Sequence, residues 1–271
     1  MDRGKTLQAT KKRYTHVGAG RDMTTDMAVI VGATGALGRA IAARLADAGL
    51  RILAVSRTAQ TLEDLTSRNP AITPCVADIA SDDSIARIAA AVSGPVRMVV
   101  HGPGLAAAGE VLTIPTQALA DSVNIKAGGM LRLVRAVDAH LQPHSRLVAI
   151  GGHYGLEPSA DTTAAGVANA ALLNLTRQLS QAYGPRGITA HYIAPGPAET
   201  ERLRRVAAVR AARDGVDIED IVDGMRRESS IGRLTTPEQL AWAVALLLAP
   251  EADAMTGSTL MIECGRRRGL P

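Results

Sequence analysis

Gly32, Gly35 and Gly38 recur every third residue after the uncharged run Ala28-Val-Ile-Val31, and a helical pattern follows over residues 37–48. A glycine turn between a buried strand and a helix lets the main chain approach a pyrophosphate, and the helix's unpaired N–H groups and positive dipole end face the same place. The pattern predicts a phosphate cradle, with Thr34, Ala36 and Leu37 completing it around a dinucleotide. A turn that merely closes a strand-helix unit would satisfy the glycines alone; the strand before and the helix after favour the ligand. The next apolar strand, 51–55, ends at Ser56-Arg57. An acidic residue there would hold a ribose 2′-hydroxyl, whereas a neutral one followed by Arg suits a 2′-phosphate, so the pair predicts NADP(H) ahead of NAD(H). Asp78, beyond the strand 72–76, is placed to accept from an adenine amino group, with Ile79 beside it, and equally to cap a turn.

Groups able to move a proton lie at two other strand ends. His101 follows the strand 96–100 and precedes Gly102-Pro103-Gly104, where small residues again admit a ligand to the backbone. His153 and Tyr154 lie in Gly151-Gly-His-Tyr-Gly155, after the strand 147–150. Ligands of open α/β sheets bind outside the carboxyl ends of the strands. An imidazole or phenol there can act as an acid, or simply cap a strand. Asn124 sits within an apolar helical stripe over 117–141, where an amide must find partners or be costly. Lys126, with nothing anionic one turn away, reads as solvated.

Strands alternate with helices along the whole chain. Helical patterns cover 59–67, 82–92, 162–183 and 237–248, and further strands cover 188–193 and 258–262. Without hairpin signals, this predicts an α/β Rossmann-like, doubly wound parallel sheet of about seven strands with helices on both faces, in one domain spanning 27–271. Residues 199–230 are charged and broken at Gly215 and Gly224, reading as a lid over the substrate. Residues 1–26 read as a basic, disordered extension. With 271 residues, 46% hydrophobic, the chain supports one large core. Aromatics at 2% leave no stacking platform for bases, and the excess of positive charge, +4, is concentrated at the two ends, so nucleic acid is not expected. No apolar run suits a signal peptide or a membrane span, giving a cytoplasmic expectation without a membrane partner. Cys75 and Cys264 lack metal spacing, so no metal is expected.

In this order and at these spacings the marks resemble the short-chain dehydrogenase/reductase family over nearly all of residues 28–265. They are the three glycines, Asp78-Ile79, the turn at 101–104, Asn124, Leu172-Leu-Asn-Leu-Thr-Arg177, Pro195-Gly196 with Thr200, Gly232-Arg233 with Pro237-Glu238, and Thr256-Gly257. The resemblance implies an NAD(P)(H)-binding subunit of a homodimer or homotetramer, with Pro195, Gly196 and Thr200 against the nicotinamide. It also implies hydride transfer between cofactor and a carbonyl or alcohol carbon, the proton being handled by a Tyr, a Lys four residues later and a Ser. Those positions fall on Ala165, Asn169 and Gly152, so all three groups are missing; of the usual tetrad Asn124 alone stands. A phenol of pKa ~10 works at neutral pH only beside a cation, and losing a positioned acid costs about 10² to 10⁴ in rate. Asn169 remains able to reach ribose hydroxyls. Two expectations follow: an NADP(H)-dependent oxidoreductase whose proton comes from Tyr154, His153 or His101, or a pseudoenzyme that keeps the dinucleotide as a structural ligand or sensor. The small-residue surface of helix 162–183, together with helix 117–141, predicts the subunit interface.

Overall fold

The computed structural model describes residues 25–67, 69–105 and 109–269, so the extension up to residue 24 lies outside the described residues. Seven parallel strands form one sheet: β1 (Met27–Val31), β2 (Arg51–Ser56), β3 (Ile72–Val76), β4 (Val96–His101), β5 (Leu141–Ile150), β6 (Thr189–Pro195) and β7 (Thr259–Ile262). Their order, β3-β2-β1-β4-β5-β6-β7, reverses direction between β1 and β4. That is the predicted doubly wound sheet, and the reversal opens a crevice at the carboxyl ends of β1 and β4.

Alternate residues of each central strand serve opposite layers. Met27, Val29 and Val31 face a core shared with α3 (Asp83–Ala91), α5 (Gly129–Val137) and α6 (Thr163–Tyr183). Ala28 and Ile30 face a core shared with α1 (Ala36–Asp47), α2 (Ala59–Thr66) and α9 (Pro237–Leu246). Thr236 caps α9 in a reciprocal box with Gln239, and Pro237 opens its first turn.

Two elements depart from the sequence reading. The helix expected over 117–141 is α4 (Thr116–Val123), a π turn (Asn124–Gly128) and α5 in series. A π turn adds one residue and rotates the succeeding helix to a new face, which a pattern of fixed 3.6-residue period cannot register. β5 starts at Leu141, six residues before the apolar run suggests, because Gln142 to Arg146, ahead of that run, include no apolar residue but Pro143. That guanidinium is fully buried, donating to the carbonyls of Leu247 and Ala249 and to the Thr189 hydroxyl, and pairing with Asp253. The 199–230 insertion is a helical hairpin, α7 (Glu201–Asp214) and α8 (Ile218–Arg227), with a small core of Ala207, Val222, Met225 and Leu234.

The cradle glycines are unequal. A Cβ on Gly38 would lie 2.1 Å from the Gly32 carbonyl oxygen and 2.8 Å from Ala33 Cα, both backbone, so α1 would have to leave β1; on Gly35 it would meet the Gly32 oxygen at 3.6 Å, an ordinary contact. Gly38→Ala is therefore expected to lower the urea midpoint, destabilising by about 1–3 kcal/mol despite alanine's better helix propensity, while Gly35→Ala unfolds like wild type. Equal midpoints for the two variants would contradict this packing account.

Candidate active site at the crevice

The phosphate cradle is built from main chain. Gly32 holds φ +85°, and a Cβ there would lie 2.7 Å from the Gly102 oxygen, so the turn after β1 lies directly against the turn after β4. Gly35 is the N-cap of α1 and provides no side-chain cap, leaving the first-turn amides of Ala36, Leu37 and Gly38 uncapped by a side chain. This is the donor set a pyrophosphate takes.

At the end of β2, Ser56 Oγ lies 3.2 Å from Thr34 Oγ1. Arg39, one residue past the third glycine, donates from Nε to the Thr34 carbonyl at 2.9 Å and so brings a second guanidinium to the corner that exposed Arg57 borders. Sequence reasoning missed Arg39; its signal was a cation in the first turn of the cradle helix. Asp78 is exposed, and its Oδ1 accepts from the Ala80 amide at 3.0 Å, the turn-capping role. Ile79 is buried beneath it.

On the other side of the crevice Pro195 ends β6, and Gly196 lies against Glu263, whose Cβ and Cα a side chain there would meet at 2.9 and 3.0 Å. Thr200 caps α7, accepting from the Leu203 amide at 3.2 Å. Two residues on, a guanidinium nitrogen of Arg202 lies 2.7 Å from where Gly104 would carry a Cβ, reaching over the turn after β4.

Gly152 and Asn169, the positions the resemblance assigns to Ser and Lys, are neighbours: a Cβ on Gly152 would lie 2.9 Å from Asn169 Nδ2. Asn169 Oδ1 is buried without a hydrogen-bond partner among the described residues, an acceptor free for a ribose hydroxyl. These features, with the open cradle, fit a dinucleotide. Beneath them Tyr192 fills the sheet, its hydroxyl accepting from the Gly152 amide at 3.1 Å and lying 3.3 Å from the Gly152 and Asn169 carbonyls. Burial pushes this phenol up to about 12, so it positions the loop and holds its proton.

Of the three proposed replacement acids, the structure brings His153 and Tyr154 together and sets His101 apart. His101 is fully buried, with Nε2 3.1 Å from the Ile125 carbonyl; burial first, then the charge of Lys126, pull it down to about 3. The expectation that it titrates near neutrality as an acid is corrected: it is a neutral core histidine. His153 is also buried, and burial followed by the charge of Arg266 lowers its pKa below the ordinary imidazole value. Its ring centroid lies 3.9 Å from that of Tyr154. Both line a cleft of about 510 Å³ bounded by Glu157, Arg210 of α7, Glu228 and Arg266. Asn124 turns toward the β3 side, donating to the Ala80 carbonyl at 3.0 Å and accepting from Arg132 at 2.9 Å.

Lys126 overturns its sequence reading. It is 5% exposed, not solvated, and its Nζ donates to the Ile150 carbonyl at 2.9 Å, two residues before Gly152. Burial, with the like charge of Arg202, draws the ammonium down to about 7. It lies within the π turn, on the face that Met130, Leu133 and Val137 continue into the core.

A family model described as Enoyl-(Acyl carrier protein) reductase matches residues 32–267. The chain is 29% identical over 261 residues to the short-chain reductase protein NovJ of Streptomyces niveus, covering 90% of this chain and 98% of that one. It is 27% identical over 245 residues to the 3-oxoacyl-[acyl-carrier-protein] reductase FabG of Escherichia coli, covering 88% and 96%. Among solved structures, actinorhodin polyketide ketoreductase with NADPH superposes with a TM-score of 0.83 at 25% identity over 90% of this chain and 98% of that one. The L-sorbose reductase of Gluconobacter frateurii, solved with NADPH and L-sorbose, has the same fold, with a TM-score of 0.83 at 20% identity over 92% and 100%. With the crevice, the glycine cradle and a match spanning nearly the whole described chain, the protein belongs to the short-chain dehydrogenase/reductase family.

Proposed function

We propose that the protein is an NADP(H)-dependent oxidoreductase acting on a carbonyl or alcohol, its proton carried by a group other than the family's Tyr and Lys. The observation that carries the reading is the open cradle of Gly32, Gly35 and Gly38 with two arginines, Arg39 and Arg57, at its 2′-phosphate corner and no acidic residue at Ser56. The NADPH-bound relatives support the same choice. Ala36, Leu37 and Gly38 would hold the pyrophosphate, Asn169 a ribose hydroxyl, and Pro195, Gly196 and Thr200 the nicotinamide end. When bound, the cofactor supplies a hydride to a carbonyl carbon. The α7–α8 hairpin walls the 510 Å³ cleft with Arg210 and shields the reaction from water as a lid.

The loss of Ser, Tyr and Lys at Gly152, Ala165 and Asn169 favours a second reading, dinucleotide binding without turnover. One set of measurements separates the two. NADPH is expected to bind about tenfold or more tighter than NADH, the worth of one charge-assisted bidentate contact, and Arg39→Ala or Arg57→Ala should shrink that ratio. Equal affinities that neither substitution moves would remove the NADP(H) assignment. On a broad panel of aldehydes and ketones, turnover is expected to be slow, about 10² to 10⁴ below ordinary rates. Tight NADPH binding with no turnover on any member would leave the pseudoenzyme standing.

The partner in solution is a second copy of the chain. α6 buries Ala164, Ala168, Leu172 and Leu179 against the sheet and leaves Val167 45% exposed among small residues on its outer side. We expect light scattering to give a homodimer or homotetramer, and Val167→Arg to shift it toward monomer. A monomer at every concentration would refute the interface on α4–α5 and α6.

A further inference from the structure

Lys126 is the only lysine after Lys12; from Arg13 onward every other cationic residue apart from histidine is Arg. Where this chain needs a buried cation to satisfy carbonyls it uses a guanidinium, as Arg146 shows at Leu247 and Ala249. An ammonium differs in one respect that matters here: it can give up its proton near neutral pH, and a guanidinium cannot. Lys126 spends one of its three N–H groups on the Ile150 carbonyl, and no ion pair to a carboxylate holds it among the described residues. Its Nζ lies at the Ile150 carbonyl, at the carboxyl end of β5 and two residues before Gly152, which abuts Asn169.

We propose that Lys126 is the proton donor of this active site, standing in for the Tyr and Lys that are absent at Ala165 and Asn169. The inference rests on the oxidoreductase reading above. As hydride reaches the carbonyl carbon, the C=O electron pair moves onto oxygen, a new O–H bond forms there, and the Nζ–H bond of the ammonium breaks. The carbonyl is reduced, the nicotinamide is oxidised, and the neutral amine regains a proton from solvent. In the opposite direction the amine accepts the alcohol proton.

The ionisable groups that face Lys126 are few. His101 from β4 is neutral, and Arg202 from α7 is a like charge. Arg132 of α5 is turned to Asp82 and the Ile79 carbonyl. α6, which packs on the π turn, has no ionisable side chain before Arg177. Burial and Arg202 therefore place the loss of the ammonium proton near pH 7, far below an ordinary lysine. The reduction rate should fall as pH rises through that value, because only the charged form donates.

The decisive variant is Lys126→Gln, which can still donate to the Ile150 carbonyl but has no proton to transfer. It should fold and bind NADPH as wild type does and lose about 10² or more of kcat on any carbonyl that wild type reduces, the pH dependence going with it. Lys126→Arg should fail similarly. Retention of kcat within twofold in Lys126→Gln overturns the proposal while leaving the oxidoreductase reading intact, as does a loss confined to Tyr154→Phe or His153→Ala. Absence of wild-type turnover with NADPH bound overturns both. Independently of activity, protein labelled with 13C at lysine Cε should show one resonance, missing from Lys126→Gln, that titrates near pH 7 without cofactor and at higher pH in Arg202→Gln. A Lys126 resonance titrating at the usual lysine value of ~10.4 also overturns it.

Discussion

The molecule depends on one close approach: the backbones of β1, α1 and the turn after β4 meet with no room for a side chain between them. Gly38 sets the distance between helix and strand, and Gly32, in a left-handed conformation, sets the distance between the first and fourth strand ends. The crevice follows from this contact, since it opens where the strand order reverses, beside that junction. The direction of α1 follows as well, and with it the orientation of its uncapped amides. The Ala-rich helices serve the same end, keeping helices close to the sheet in a chain that contains no Phe.

The two ends of the sheet handle buried charge in opposite ways. Near the amino ends of β5 and β6, Arg146 is saturated by two carbonyls, a hydroxyl and Asp253. Burial raises the Asp253 carboxyl, and the hydrogen bond and charge of Arg146 outweigh it, holding the group below the usual carboxylate range. At the carboxyl ends, Lys126 has one carbonyl and the like-charged Arg202. The first arrangement closes a structure; the second leaves capacity unspent, and unspent buried polarity is characteristic of sites that bind or react.

The strands and most helices are legible in the sequence because their apolar runs are short, β-branched and punctuated by glycine, and one pattern fits a strand covered on both faces. The cradle is legible for the same reason. Two of the features that escape, Arg146 and Lys126, share a cause: charged side chains whose burial depends on distant carbonyls. Arg146 closes the polar stretch that hides the start of β5, the carbonyls it bonds lying about a hundred residues away. Lys126 reads as solvated because nothing anionic stands one turn away in sequence, while the carbonyl it bonds, that of Ile150, lies 24 residues on. Arg39 requires knowing that its guanidinium folds back to the Thr34 carbonyl. His101 and His153 do stand at strand ends, but burial, which sets their protonation, is not readable from their neighbours in sequence.

The packing of Gly152 against Asn169 ties these two positions to each other. With the Asn169 amide nitrogen 2.9 Å from where a Cβ at position 152 would sit, a larger residue there and the present asparagine rotamer exclude each other. Gly151 is still more restricted, because the Tyr192 hydroxyl occupies the space its side chain would need. Substitutions at positions 152 and 169 are therefore coupled, and their effects on stability are not expected to add.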